Sequence, residues 1–362
     1  LEASEGIDPN GPPEMACFLE LSARLGQNIL RTQGAGGNTS IKHDGVMWVK
    51  ASGTWLAHAL ERDIMVPVAV APLVNALRDG DPRAEKATDF IVENLNASRL
   101  RPSIETSFHA VLTQPVVAHF HCVNSIALAV LERRETLIAE RMARGAPDLS
   151  WRLIPYRRPG TPLAREIDKV AGEKPDVLVL CNHGIIVAGE TVDDVAARIE
   201  TATAALGLAR RHVGPADLPW LENAAAATGY RVAADAETHA TALCPIGMKI
   251  ALSGSLYPDH VIFLGTSIGV LRDGQSIAEL LDDFAGRHLP APKMLIAPGR
   301  GVLVARELTP GGEAMARCLA EVVTRIPPDE AICYLDSAQE YELTHWEAEQ
   351  YRQALDRRTA AQ

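Results

Sequence analysis

The sequence predicts an α/β protein of packed helix and sheet layers, divided into two domains. Its 362 residues exceed the roughly 100–200 of one typical domain. Hydrophobic residues make up 47% and charged residues 22%, the balance of a globular chain with a sizeable core. From Pro102 to Arg211 helix-period and strand-like segments alternate, the pattern of helices laid on a sheet. The expected parts are an N-terminal arm over 1–13, a main domain over 14–213 and a smaller α/β domain over 214–362. The composition change at Gly214-Pro-Ala-Asp-Leu-Pro219 marks the division.

Glu14 to Arg31 carries apolar residues at Met15, Phe18, Leu21, Leu25 and Leu30, which predicts an amphipathic helix. The stretch Gly34-Ala-Gly-Gly-Asn-Thr-Ser40 breaks it, Val46–Lys50 reads as a strand, and Ser52-Gly-Thr54 as a second tight loop. A short helix is expected near Pro72–Leu77. Then come a helix over Ile104–Leu112, a strand over Val116–Cys122 and a helix over Ser125–Leu131. A Pro-rich passage at Pro155–Pro162 leads to a helix ending at Ala171. Strands at Val177–Cys181 and Ile185–Val187 and a helix over Val192–Arg211 close the main domain. The C-terminal part is read as a helix at Ala233–Leu243, strands at His260–Leu264, Lys293–Ile296 and Val302–Val304, and helices at Gly312–Arg325 and His345–Leu355.

Composition excludes several classes of function. A net charge of −11 has the wrong sign for a protein that reads nucleic-acid backbone. No apolar run approaches the roughly 18 residues of a membrane span, and the start Leu1-Glu-Ala-Ser-Glu5 is acidic where a signal peptide would be basic. The expectation is a soluble cytoplasmic protein with neither nucleic-acid nor membrane partners. The six cysteines are scattered without a C-x-x-C pair, so neither a zinc ribbon nor a disulfide framework is implied.

The segment Val116-Val-Ala-His119-Phe-His121 reads as a buried strand, on which residues two apart share a face, so His119 and His121 project together. Two adjacent imidazoles suit one metal ion at about 2.0–2.1 Å, although a single strand histidine is more often a hydrogen-bonded core residue. His183, in Asn182-His183-Gly184 at the end of an apolar strand, supplies a third candidate ligand. Three histidines with an open fourth position describe a catalytic zinc rather than a structural one. Glu105 opens the helix before the His119 strand and has two readings, a helix-end carboxylate or a general base beside a Lewis acid. His109, four residues on, is read as a supporting or packing residue rather than a ligand. The Gly-rich loops offer free backbone N–H groups for an anion, yet neither is a dinucleotide fingerprint or a P-loop.

Taken in order, Gly36-Gly37-Asn38-Thr-Ser40, Ser52-Gly53-Thr54, Pro102-Ser103-Ile-Glu105 with His109, His119-Phe-His121 and Asn182-His183-Gly184 resemble the class II aldolase/adducin family. The resemblance implies a three-layer α/β/α domain with a mixed, largely antiparallel sheet. It implies His119, His121 and His183 as ligands of Zn2+ or another divalent metal, and Glu105 as the acid/base. Gly37, Asn38, Ser52, Gly53 and Ser103 would line the pocket for a substrate phosphate, where Ala35 and Ile104 replace hydroxyl residues of the small sugar-phosphate aldolases. The implied activity is reversible retro-aldol cleavage of a ketose or ketose phosphate through an enediolate held on the metal, by a homo-oligomer, tetrameric in many relatives. Epimerase, dehydratase and decarboxylase chemistries share that site, and a non-catalytic adducin-like scaffold is the alternative outside enzymes. Tyr156 is a candidate for the proton donor to the aldehyde oxygen.

The C-terminal part, with His260-Val-Ile-Phe, Ala297-Pro-Gly-Arg-Gly301 and His345-Trp-Glu-Ala-Glu-Gln350, resembles the matching region of the longer rhamnulose-phosphate aldolase/alcohol dehydrogenase proteins. No nicotinamide site is expected in it, because Gly265-Thr-Ser-Ile-Gly269 and Gly299-Arg-Gly301 lack the full fingerprint.

Overall fold

The structure, a computed structural model, describes residues 11–346. The expected arm lies outside them through residue 10, as does the expected C-terminal helix from Glu347 onward. The chain forms two compact units, one running to Ser125 and again from Ile138 to Leu206, the other comprising Ile126–Leu137 and the chain from Gly207.

The first unit is a seven-stranded sheet with helices on both faces. Its elements are α1 (Met15–Gln27), β1 (Asn38–His43), β2 (Val46–Lys50), β3 (Met65–Ala69), α2 (Val70–Arg78), α3 (Thr106–Val111) and β4 (Val116–Phe120). There follow α4 (Val123–Ala129) and α5 (Arg134–Gly145), which straddle the unit boundary, and then β5 (Trp151–Ile154), α6 (Thr161–Ala171), β6 (Val177–Leu180), β7 (Gly184–Gly189) and α7 (Val192–Ala205). The strand order is β3-β2-β1-β4-β7-β6-β5. All neighbours are antiparallel except β5 and β6.

Strand alternation sorts the core. Met47, Val49, Val66, Val68, Val117, Leu178, Leu180, Ile186 and Ala188 face Leu73 and Leu77 of α2, Phe108 of α3 and Leu163 and Ile167 of α6 in one cluster. The opposite positions, including Val116, Ala118, Phe120, Val177, Val179 and Val187, are also buried, on the side of α1 and α7. A fully buried Leu, Ile, Val or Phe contributes roughly 1.5–3 kcal/mol relative to leaving it in water, so covering both faces stabilises the sheet strongly. Strands β6 and β7 are accordingly apolar without polar alternation, and β4 is apolar apart from His119.

The sequence reading missed β1. Its first residues, Asn38, Thr39 and Ser40, have the composition of a loop, but the strand is paired with β2 on one side and β4 on the other, and all three are buried. It also missed α5 and β5, while α7 ends at Ala205 rather than continuing to Arg211.

The second unit contains α8 (Leu218–Ala225), β8 (Tyr230–Val232), α9 (Ala240–Leu243), α10 (Pro245–Ser253), β9 (Gly269–Val270), α11 (Ile277–Gly286), β10 (Met294–Ala297), β11 (Gly301–Ala305), α12 (Pro310–Val323) and α13 (Ser337–Thr344). Its sheet has the order β8-β11-β10-β9, with only β9 and β10 parallel. Leu221, Tyr230, Leu280, Phe284, Leu295 and Leu303 belong to its core. The strand expected at His260–Leu264 is instead a wide π-type helical turn, ended by Gly265 at φ +84. All five of its residues are buried, and a short uniformly apolar run has no periodicity to separate strand from helix. Among the described residues no helix is long and apolar enough to cross a membrane.

Candidate active site

The site forms where β1, β4 and the β6–β7 turn meet the segment leading into α3. Asn38 of β1 stands directly opposite His119 of β4 in the antiparallel register, and His119 opposite Ile186 of β7. β4 ends at Phe120, so His121 lies just beyond the strand, yet it remains beside His119 with the two Nε2 atoms 3.2 Å apart. Gln33, buried in the first Gly-rich loop, donates from Nε2 to the His121 carbonyl at 3.2 Å and anchors that residue.

His183 arrives through the turn between β6 and β7. Asn182 there has φ +52, a conformation Asn tolerates better than most residues. A Cβ on Gly184 would lie 2.7 Å from the Phe120 carbonyl oxygen and 3.1 Å from His121 Cδ2, so only glycine lets the turn close over the histidines. Gly37, at φ +65, has the same constraint: its Cβ would lie 2.8 Å from the His119 carbonyl oxygen. Gly184→Ala needs no unusual φ, so its expected effect is purely steric. It should displace the histidine cluster, costing about 1–3 kcal/mol of stability and at least about tenfold in metal affinity, measured by thermal melts and metal titration.

One nitrogen each from His119, His121 and His183 lies within 4.8 Å of the other two, and all three residues are buried. His119 Nδ1 is 3.0 Å from the Ile185 carbonyl, which makes it the protonated nitrogen and leaves Nε2 as a lone pair facing the cluster. Burial pushes the His119 pKa down to about 3, with the neighbouring Glu105 only partly opposing it, so this imidazole is neutral. Three buried imidazoles with one nitrogen each converging on one point are a donor set suited to a divalent cation.

Glu105 sits at the N-terminal boundary of α3 but makes no side-chain cap bond, so the helix-end role does not account for it. Its Oε1 lies 3.3 Å from His183 Nε2 and its Oε2 3.5 Å from His119 Nε2. Asn38 Nδ2 donates to Glu105 Oε2 at 2.8 Å and to Ser103 Oγ at 2.9 Å, fixing the carboxylate. Desolvation disfavours ionised Glu105, but attraction to the neighbouring imidazoles in their protonated form and a hydrogen bond from His183 pull the other way and hold the carboxyl well below its usual range. His109 Nε2 pairs with Asn38 Oδ1 and its Nδ1 with Ser40 Oγ, so it orients Asn38 and is not part of the histidine cluster.

The two Gly-rich loops are joined by a residue the sequence reading passed over. Lys50, 1% exposed, donates from Nζ to the Ala35 and Thr54 carbonyls at 2.8 Å each, tying the loop before β1 to the loop after β2. A Lys at a strand end gives no local signal of this, because both acceptors are backbone oxygens. Ser52 N donates to the Arg101 carbonyl, Ser103 N donates to the Lys50 carbonyl, and Gly53 has φ +74. The Ser52 hydroxyl is buried and has no hydrogen-bond partner among the described residues. Lys50→Met removes two charge-assisted bonds and strands both carbonyls, so a loss of about 1–3 kcal/mol in denaturant unfolding is expected. Tyr156 lies past the end of β5, an edge strand separated from β7 by β6.

The Class II Aldolase and Adducin N-terminal domain matches residues 18–209, just over half of the sequence. The chain belongs to the class II aldolase/adducin family. Class II aldolase residues 18–209 thus include the three histidines and Glu105. A relative from Bacillus subtilis (strain 168), named an uncharacterized oxidoreductase YuxG, is 31% identical over 170 residues, covering 43% of this chain and 24% of that protein. The match therefore spans about a quarter of that relative's length. Among solved structures, the N-terminal class II aldolase domain of a Thermoplasma acidophilum protein is 22% identical with a TM-score of 0.46, covering 57% of this chain and 95% of that one. A sugar-phosphate aldolase from Thermotoga maritima is 15% identical with a TM-score of 0.42, covering 53% and 91%.

Proposed function

We propose that the protein is a zinc-dependent, or other divalent-metal-dependent, aldolase that reversibly cleaves a ketose or ketose phosphate. The observation that carries this reading is the Glu105 carboxylate set against two of the three buried imidazoles. His119, His121 and His183 would hold the cation, which supplies Lewis-acid stabilisation of negative charge developing on substrate oxygens when a carbon–carbon bond breaks. Glu105, ionised and oriented by Asn38, accepts and returns the proton at the carbon next to the carbonyl. His109 and Ser40 hold Asn38 in that orientation. The burial of Glu105 and all three histidines keeps bulk water from competing for the proton.

Gly37, Asn38, Ser52, Gly53 and Ser103 are the proposed substrate contacts, with the unsatisfied Ser52 hydroxyl available to a phosphate or sugar oxygen. Ala35 and Ile104 bring no hydroxyl to this pocket. Each missing charge-assisted bond is worth roughly 1.5–3 kcal/mol. The expected preference for a ketose 1-phosphate over its free sugar is therefore below about ten-thousandfold in kcat/KM, and a larger ratio refutes the weakened phosphate pocket. The domain division at 214, assembly as a homo-oligomer and a cytoplasmic location belong to the same proposal. Its test is incubation of metal-loaded protein with phosphorylated and free ketoses, assaying for aldehyde release. Production of an epimer, a dehydrated product or carbon dioxide instead would assign one of the sibling chemistries.

A further inference from the structure

The second unit contains a polar cavity of about 290 Å3 for which the aldolase reading has no use. Its wall is formed by the C-terminal turn of α10, the wide turn beginning at His260, the loop Thr266–Ile268 and the end of α11. Its size falls just below the roughly 300–1,000 Å3 of small-molecule sites, which suits a ligand no larger than a monosaccharide.

The lining offers fixed donors and fixed acceptors side by side. His260 is 2% exposed, and its Nδ1 accepts the Leu256 N–H at 3.3 Å, which makes Nε2 the protonated nitrogen and a donor. Nothing among the described residues accepts from that Nε2–H. Burial pushes the His260 pKa down to about 4, so the ring is neutral. Ser255, buried, spends its proton on Glu340 Oε1 at 2.6 Å and so presents acceptor lone pairs, while the exposed Ser253 at the rim bonds the Lys249 carbonyl at 2.7 Å. The end of α10 adds backbone carbonyls that a helix C-terminus leaves without intrahelical partners. Thr266 and Ser267 contribute hydroxyls that can turn either way. Among the described residues no carboxylate lines the cavity, and Arg287, the cation in its lining, forms no ion pair.

The arrangement discriminates between ligand classes. A bare anion takes only donors, and the acceptor half of this lining opposes it. A metal or ammonium ion takes only acceptors, and the His260 N–H and the Arg287 guanidinium oppose that. Alcohol groups donate and accept together, and a set of neighbouring ones satisfies both halves at once. We propose that this cavity is a binding site for a small neutral polyol or monosaccharide, separate from the histidine cluster. The wide turn at His260 fits such a role, since π-type turns occur frequently at functional sites. This inference is independent of the reaction assigned to the first unit.

Calorimetric titration of the protein with glycerol, glucose, fructose and inorganic phosphate tests it, alongside Ser267→Trp, which fills the cavity from a partly exposed loop, and His260→Phe, which removes the buried donor. The expected result is saturable binding of at least one of the three polyhydroxy probes, weakened at least about tenfold by each substitution, with no competition from phosphate. A melting curve checks that each variant folds; if His260→Phe does not, Ser267→Trp decides alone. The proposal is overturned by the absence of saturable binding of all three up to about 50 mM. Binding that Ser267→Trp leaves unchanged, which would place the sugar elsewhere, also overturns it, as does phosphate binding at the same cavity.

Discussion

Dialysis against a strong chelator is expected to abolish turnover, and return of about one divalent ion per chain to restore it. The donors for that ion would be three buried imidazoles whose nitrogens cluster within 4.8 Å. Asn38, which donates to Glu105, is a neutral amide and does not replace the charge stabilisation that a cation provides. Removing several kcal/mol of such stabilisation corresponds to a loss on the order of a thousandfold or more in rate. His121→Ala should have the same effect and should also lower the bound-metal content. Because His119 titrates only near 3, acidification to about pH 5 should not release the ion through that ligand. Full activity in chelated protein that elemental analysis shows to be metal-free would remove the metal from the mechanism.

Glu105→Gln should lower kcat by roughly two to four orders of magnitude while the metal content stays at the wild-type level. Gln keeps the shape and one oxygen facing the imidazoles, but it cannot accept a proton. The loss should fall on kcat more than on KM, since the carboxylate is needed when the proton moves rather than when substrate binds. Ser103→Ala is the control: it removes a hydroxyl that accepts from Asn38 and should cost far less. Near-normal turnover in Glu105→Gln would reduce the carboxylate to a structural element of the histidine cluster.

Much of this site was legible from the chain alone because its chemistry is carried by residue types that are rare in cores and spaced regularly. His119 and His121 two apart in an apolar run announce a shared direction, and Asn182-His183-Gly184 announces a turn that delivers a side chain to a sheet edge. The class II aldolase/adducin membership follows from those motifs taken together, as does the layered α/β fold. Sequence periodicity likewise defined α1, β4, β6 and α12, where one pattern persists over several residues.

Only the tertiary structure decided the rest, and the reason in each case is that the deciding partner is distant in sequence. Asn38, Thr39 and Ser40 read as loop until strands on both sides pair with them, after which Asn38 faces His119 across the sheet and fixes Glu105. Lys50 reads as an ordinary charged residue until folding surrounds it with the carbonyls of two separate loops. The necessity of Gly184 comes from the Phe120 carbonyl pressed against it, a contact that local propensity does not encode. The apolar run His260–Leu264 is compatible with strand or helix, and its burial within the second unit selected the wide turn. Local sequence determined which side chains could perform chemistry; long-range pairing and packing determined which backbone and polar groups hold them in place.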